Sequence, residues 1–110
     1  MQIQNIEDFV GGWFIGNFEP TLLSNKYFEI SVKRFKQGDV EPIHYQLEAI
    51  EFTVIISGSC RIGNLVLGPN EILQVDPFEA VDFEALTDVV LVAVKTPSLP
   101  RDKALGVPNA

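Results

Sequence analysis

The sequence predicts an all-β protein, a sandwich or barrel built from many short strands. Runs of β-branched and aromatic residues recur at short, regular intervals, and turns that contain Gly or Pro separate them. No segment has the apolar period of a long helix. With 110 residues, 46% of them apolar, the chain has the length and the core material of a single domain that spans residues 1–110.

The first part of the chain predicts two strands after an irregular start. Residues 1–10 favour a short helix or turn, and a strand segment rich in aromatic residues follows at 11–18. The stretch 27–35 alternates between apolar and polar residues, which indicates a strand that is half-buried through its apolar face. The apolar face carries Phe28, Ile30 and Val32, and the polar face carries Glu29, Ser31 and Lys33.

The rest of the chain continues the pattern. Residues 50–57 give the strongest strand prediction, because β-branched residues dominate them. Shorter strands follow, and Gly63-Asn64 is typical of a two-residue hairpin turn. The predicted barrel core covers about residues 27–96. The proline-containing tail at 97–110 is expected to pack over the domain or a neighbouring subunit and to fray at its end.

Charge and composition exclude several classes of partner. A net charge of −7 repels phosphate backbones, so no nucleic acid is expected as a partner. The apolar runs are too short to cross a bilayer, and the first residues lack the pattern of a signal peptide, so no membrane is expected either. The single cysteine, Cys60, rules out an internal disulfide and is interpreted as a buried thiol. We expect a cytoplasmic protein.

The stretch 38–58 contains the strongest candidate for a functional site. It holds the only histidine, His44, with Gln46 two residues later and Glu51 five residues beyond that. Residues two apart in a strand point to the same side, so His44 and Gln46 should project together. Glu51 would meet them from the following strand. The sequence therefore predicts the polar end of a binding cavity here.

These residues also carry a resemblance. The stretch resembles the first signature of the cupin superfamily, which runs Gly, five residues, His-x-His, three or four residues, Glu, six residues, Gly. In this chain Gly38, His44, Glu51 and Gly58 stand at the required spacing. With the flanking strands, the resemblance covers about residues 27–96. It implies a single cupin barrel, the jelly-roll-like double-stranded β-helix, of the small stand-alone kind with no assigned activity.

The resemblance also implies a metal-ligand set, from which this chain departs. Metal-dependent cupins hold a divalent ion with two His and a Glu of the first signature and a His of a second signature. Here Gln46 stands at the second His. Aligning the second signature puts Val81 at the last His and Phe83 at an aromatic position, whereas a slip of one residue would turn Asp82 inward and Phe83 outward. The implied ligands are then His44 and Glu51, helped at most by Gln46 or Asp82.

Two functions remain open at this point. The first is the binding of a small polar or carbohydrate-like molecule. Its pocket residues would be His44, Gln46, Glu51, Val81 and Phe83. The second is a metal-dependent cupin enzyme of the isomerase or oxygenase type, whose cofactor would be a divalent transition metal; no catalytic residue can be assigned. The resemblance also implies a homodimer, since small cupins commonly pair through edge strands and N-terminal segments, and a bare aromatic strand at 13–14 would be a liability.

Overall fold

The protein, described by a computed structural model over residues 1–109, is built almost entirely of β-strands, as predicted. Two short 3-10 turns, Ile6–Asp8 and Val10–Gly12, come before the strands. None of the helical segments within residues 1–109 combines the length and apolar character needed to span a bilayer. The strands are β1 (Trp13–Ile15), β2 (Glu29–Phe35), β3 (Val40–Gln46), β4 (Ile50–Ser57), β5 (Cys60–Ile62), β6 (Leu65–Leu67), β7 (Ile72–Val75), β8 (Val81–Ala85), β9 (Val89–Thr96) and β10 (Lys103–Leu105).

The strands form two antiparallel sheets that enclose one core. Sheet A has the order β1-β2-β9-β4-β7, and sheet B has the order β10-β3-β8-β5-β6. Buried residues of both sheets meet between them, among them Ile55 and Leu91 of sheet A and Cys60 and Phe83 of sheet B. This is the jelly-roll-like arrangement that the sequence predicts.

The apolar core fills one end of the barrel. The rings of Phe35 and Phe83 pack with their centroids 4.4 Å apart across the two sheets. Ile55 and Cys60 are completely buried beside them. Burial raises the pKa of the Cys60 thiol, so Cys60 behaves as a small apolar core residue, as expected.

The structure corrects the orientation of β2. The sequence predicts that its apolar face is buried, but Ser31 is completely buried and Lys33 lines the barrel cavity. Ser31 pairs with Ala93 and Phe35 pairs with Val89, and both partners belong to the buried side of β9. Because opposite residues in a ladder share a face, β2 turns its odd-numbered residues inward and its apolar face outward.

Both ends of the chain are fixed to sheet edges. Only Trp13–Ile15 of the predicted segment 11–18 forms a strand, and it pairs with β2. The tail returns to the barrel as β10, which pairs with β3. The Asp102 carboxylate accepts hydrogen bonds from the backbone N–H groups of Glu48 and Ala49, each at 2.9 Å, and so ties the tail to the turn between β3 and β4.

Candidate functional site

The inner side of sheet A changes from apolar to polar along the barrel. At its polar end, Glu29 of β2, Lys95 of β9 and Glu51 of β4 stand opposite one another on three neighbouring strands. The next row along the strands is Ser31, Ala93 and Thr53, and the row after that is Lys33, Leu91 and Ile55. Burying charged side chains is costly even when they are paired, and clusters of them inside a fold are most often found at functional sites, so this end is the candidate functional site.

Sheet B closes this end from the other side. A register irregularity in β3 lies between Glu41, which pairs with Phe83, and His44, which pairs with Val81. Both Glu41 and His44 therefore reach the interior. The cavity between the sheets measures about 60 Å³, room for a few water-sized atoms. The polar residues that line it are Lys33, Glu41, His44, Glu51, Thr53, Asp82, Lys95 and Lys103.

The local backbone geometry explains why glycine stands at both glycine positions of the signature. Gly58 has φ +82°, and a Cβ there would collide with the backbone carbonyl of Asp88. Gly38 has φ +90° in the turn that leads into β3, and its N–H donates to the Ala85 carbonyl at 2.8 Å. Both positions favour glycine because L-residues rarely adopt these angles. They fix the ends of the strands on which His44 and Glu51 lie.

The histidine is held by its own strand. His44 Nδ1 lies 3.0 Å from the Pro42 carbonyl oxygen, which can only accept a hydrogen bond. Nδ1 is therefore the donor, which in the neutral ring leaves the lone pair on Nε2. The ring presents this free nitrogen as an acceptor or base in the cavity that Glu51 also lines.

Gln46 is buried and only half satisfied. Its side chain is 2% exposed, and Nε2 donates a long hydrogen bond of 3.5 Å to Glu51 Oε2. Oε1 has no hydrogen-bond partner among residues 1–109. Gln46 lines a second cavity of about 190 Å³, which shares Lys95 and Lys103 with the first cavity as common walls. An unpartnered buried acceptor beside a cavity is a place for a ligand donor.

Two lysines converge on Trp13. Their ammonium groups lie 5.2 Å (Lys33) and 5.0 Å (Lys95) from the centroid of the indole ring, within the range of cation–π attraction. Lys33 also lies 3.9 Å from the Glu41 carboxylate. Burial lowers the pKa of Lys33, although Glu41 opposes part of this effect. The indole ring thus holds both ammonium groups at the polar end, where Lys33 also pairs with Glu41.

Glu29 lies at the polar end of the barrel, opposite Lys95. Burial raises the pKa of its carboxyl group, and the hydrogen bond that Ser98 Oγ donates to Oε1 at 3.0 Å lowers it in part. Ser98 is itself completely buried and accepts from the Asn17 backbone N–H at 2.8 Å. The tail therefore supplies a polar partner to the site.

Strand β8 presents Val81 and Phe83 to the barrel. Val81 lines the first cavity opposite His44, and Phe83 is buried beside it. The Asp82 carboxylate lies on the other face, where it accepts from Arg61 Nη1 at 2.8 Å and Nη2 at 3.2 Å. The guanidinium holds the pKa of Asp82 below its usual range. Asp82 thus counts among the residues that line the first cavity, but Arg61 engages its carboxylate on the outer face.

The structure brings His44, Glu51, Val81 and Phe83 to one cavity and joins Gln46 to them through Glu51. Sequence reasoning missed the charged residues around them. The alternation at 27–35 predicts that Lys33 lies on the outer, polar face. No motif marks Lys95 or Glu29. The register of β9 is the signal that could have identified Lys95, because Lys95 stands directly opposite Glu51. That register is set by tertiary packing.

The donor set is incomplete for a bound transition metal. Within residues 1–109, no group of three or more His, Cys, Asp or Glu side chains converges on one point. His44 and Glu51 supply two donors, whereas such ions need three or more protein ligands. Lys33, Lys95 and Lys103 line the same cavity and would repel a divalent cation.

Comparisons with known proteins support the fold. No family model and no curated protein matches the chain. Among solved structures, an uncharacterised conserved protein with a double-stranded β-helix domain from Klebsiella pneumoniae is 17% identical and has a TM-score of 0.72, with 97% of this chain and 93% of that one covered. A sugar phosphate isomerase of the cupin superfamily from Silicibacter pomeroyi is 18% identical, with a TM-score of 0.60 over 66% of this chain and 52% of that one.

The DMSP lyase DddQ from Ruegeria pomeroyi is 16% identical and has a TM-score of 0.68, with 84% of this chain and 50% of that one covered. This chain thus matches about half the length of the isomerase and of the lyase. The likenesses show that the protein is a small cupin-fold protein with the double-stranded β-helix that its signature implies.

Proposed function

We propose that this small cupin-fold protein binds a small polar, carbohydrate-like molecule at the polar end of its barrel. The observation that carries the proposal is the buried Oε1 of Gln46, which has no partner within residues 1–109 although the residue lines a cavity. An unmade hydrogen bond at a buried group costs about 1–3 kcal/mol. A ligand that donates to Oε1 would recover this energy.

The surrounding groups favour a ligand rich in hydroxyl groups. Lysine ammonium groups only donate hydrogen bonds, and the carboxylates of Glu29 and Glu51 only accept them. A hydroxyl group does both and can therefore bridge the alternating donors and acceptors of this site. The two adjoining cavities, of about 60 and 190 Å³, suit a molecule of a few carbon atoms. One structurally similar protein is a sugar phosphate isomerase, which agrees with a ligand of this class.

Isothermal titration calorimetry tests the proposal. The panel should contain neutral monosaccharides, sugar acids, hydroxy acids and amino acids, titrated into the wild-type protein. We expect at least one compound to bind with a Kd below about 1 mM and Glu51→Gln to weaken it at least about ten-fold.

The matched control is Glu84→Gln. It neutralises a carboxylate that lies near Arg61 on the outer surface, 3.5 Å from Nε. Affinity should be unchanged in this variant. Absence of binding across the panel at about 10 mM, or an equal loss in Glu84→Gln, would contradict the proposal.

A metal-dependent enzyme of the isomerase or oxygenase type is the second candidate. The free Nε2 of His44 in the cavity that Glu51 lines is the observation that favours it. Elemental analysis of the purified, untagged protein decides between the two. Stoichiometric Fe, Mn, Ni or Zn that is lost in His44→Ala would support the enzyme. No bound metal after incubation with these ions would contradict it.

A further inference from the structure

The second cavity, of about 190 Å³, lies where the C-terminal tail meets the polar end of the barrel. The barrel contributes Glu29 from β2, Gln46 from β3 and Lys95 from β9, and Ala49 lines the cavity from the connection between β3 and β4. The tail contributes the remaining lining residues, which are Pro97, Leu99, Arg101, Asp102 and Lys103. The cavity therefore depends on how this tail returns to the barrel.

Positive side chains outnumber negative ones around this cavity. Lys95, Arg101 and Lys103 line it, and they stand against the two carboxylates of Glu29 and Asp102. Within residues 1–109, none of these three cations lies within ion-pair distance of a carboxylate. Several charges of one sign around a cleft raise the local concentration of the opposite ion. The wall of the second cavity therefore favours an anion.

Lys95 stands between two carboxylates of sheet A and pairs with neither. It lies opposite Glu29 on β2 and opposite Glu51 on β4. Its ammonium group forms no ion pair with either of them, and lies instead 5.0 Å from the centroid of the Trp13 ring. Cation–π attraction leaves the hydrogens of the ammonium group that point away from the ring available to another acceptor. Because Lys95 lines both cavities, a ligand in either one can reach this charge.

The two carboxylates that line the second cavity are already bound to neighbouring donors. One oxygen of Asp102 accepts from the Glu48 backbone N–H and the other from the Ala49 backbone N–H, each at 2.9 Å. Oε1 of Glu29 accepts from Ser98 Oγ at 3.0 Å, and burial raises the pKa of Glu29, which disfavours its charged form. Both carboxylates therefore serve the protein's own donors, and the cations around the cavity keep their capacity for an external anion.

We propose that the second cavity binds the oxyanion of a hydroxylated ligand, a carboxylate or a phosphate group, between Lys95 and Lys103, with the exposed Arg101 beside them. The inference rests on the proposed function, because a hydroxyl group of the same ligand would donate to the unpartnered Oε1 of Gln46. Lys95 and Lys103 also line the first cavity, so the rest of the molecule has room to extend there. The ligand is thus a small hydroxy acid or a hydroxylated phosphate ester.

Electrostatics favours the charged ligand over a neutral one of the same shape. Hydrogen bonds from an ammonium group to a carboxylate or a phosphate are roughly twice as strong as those between neutral groups. The net charge of −7 on the chain opposes any anion, but salt screens exposed charges beyond about 8 Å at physiological ionic strength. The cations that line the cavity are close enough to outweigh that repulsion. Added salt should therefore weaken the binding.

Three compounds with the same three-carbon skeleton test the proposal: glycerol, glycerate and glycerol 3-phosphate. Isothermal titration calorimetry measures their affinity, and the emission of Trp13, the only tryptophan, should change because Lys95 lies against its ring. We expect at least one of the two anions to bind with a Kd below about 1 mM and at least about ten-fold more tightly than glycerol. The tighter anion identifies the oxyanion. Raising NaCl from about 50 to about 500 mM should weaken it at least about three-fold.

Two variants locate the anion. Lys95→Gln and Lys103→Gln each remove one charge from the wall and should weaken the bound anion at least about five-fold. Lys103 is exposed on the edge strand β10, so its variant should fold and keep the test valid if Lys95→Gln does not. The matched control is Lys36→Gln, at an exposed position between β2 and β3 that lines neither cavity, and its affinity should equal that of the wild type.

The outcomes separate this inference from the proposed function. Neither anion binding, or glycerol binding as tightly as both of them, overturns the oxyanion site. A neutral monosaccharide that binds in the wider panel would then still leave the proposed function standing. An equal loss of affinity in Lys36→Gln also overturns the inference, since the effect would then come from the net charge of the chain.

Discussion

The two sheets of the barrel use strand alternation in opposite ways. Sheet B places Cys60, Ile62 and Phe83 inside and the charged residues Arg61 and Asp82 outside, as expected for a sheet with one wet face. At its polar end, sheet A reverses this order. Glu29, Ser31 and Lys95 face the interior, while Ile30 and Val94 face outward. Sheet B thus keeps its charged residues outside along β5 and β8 and reaches the candidate site through β3 and β10, whereas sheet A lines the site with charged residues of its own inner side.

The largest expected effect separates the two sides of β4 at the apolar end. Ile55 is completely buried and Ile56, the next residue, is 53% exposed. Ile55→Ala should lower the free energy of unfolding by about 2–5 kcal/mol, since it leaves a cavity in the core. Ile56→Ala should cost less than about 0.5 kcal/mol. Urea unfolding of both variants measures the difference. Equal losses would show that the sides of sheet A are not distinct.

The fold could be predicted because its signals are local. Strand β4 is dense in β-branched residues, the turns contain Gly, and the spacing from Gly38 to Gly58 matches a known signature. Once Phe83 is aligned with the aromatic position of the second signature, alternation also places Val81 and Phe83 on the inner side of their strand. These features depend on backbone conformation and on side-chain period, both of which a sequence contains.

The charged half of the site could not be predicted because it depends on register. Alternation alone shows that Ser31 and Lys33 share a face but cannot say which face lies inside. The pairing of Phe35 with Val89 decides this, and it is a contact between distant parts of the chain. Sequence reasoning put the apolar face inside, which is wrong where a barrel encloses a polar cavity. The position of Lys95 opposite Glu51 likewise depends on the register between β4 and β9.

Two buried serines sharpen the comparison within sheet A and its tail. Ser31 and Ser98 are both completely buried, but Ser31 Oγ has no partner within residues 1–109, whereas Ser98 Oγ donates to Glu29 and accepts from Asn17 N–H. Ser31→Ala should therefore raise the free energy of unfolding by about 1 kcal/mol. Ser98→Ala should lower it by about the same amount. Chemical denaturation without ligand measures both, and a loss in Ser31→Ala would mean that its hydroxyl is satisfied.

A smaller effect concerns the carboxyl group of Glu29, on the inner side of sheet A. Burial raises the pKa of Glu29 above its ordinary value of 4.5, so the folded state binds this proton more tightly than the unfolded state does. The resulting stabilisation is complete below about pH 4.5 and is lost as the pH rises through the elevated value. Glu29→Gln should remove that loss and melt at a higher temperature than the wild type at pH 7, but not at pH 4. Thermal melts across this range test it, and a lower melting temperature at pH 7 would contradict it.

The smallest effect has the opposite sign and belongs to the outer face of sheet B. Arg61 lowers the pKa of Asp82 below its ordinary value of 3.8, so the ion pair stabilises the folded state above that pH. The contribution is lost as the pH falls through the depressed value. Asp82→Asn should therefore melt slightly below the wild type at pH 7 and equally once the pH lies well below the depressed value, and 1 M salt should reduce the difference because the pair is exposed. If Asp82→Asn instead stabilised the protein at pH 7, as expected for Glu29→Gln, Asp82 would be a buried carboxyl of the cavity, and the contrast between the two sheets would not hold.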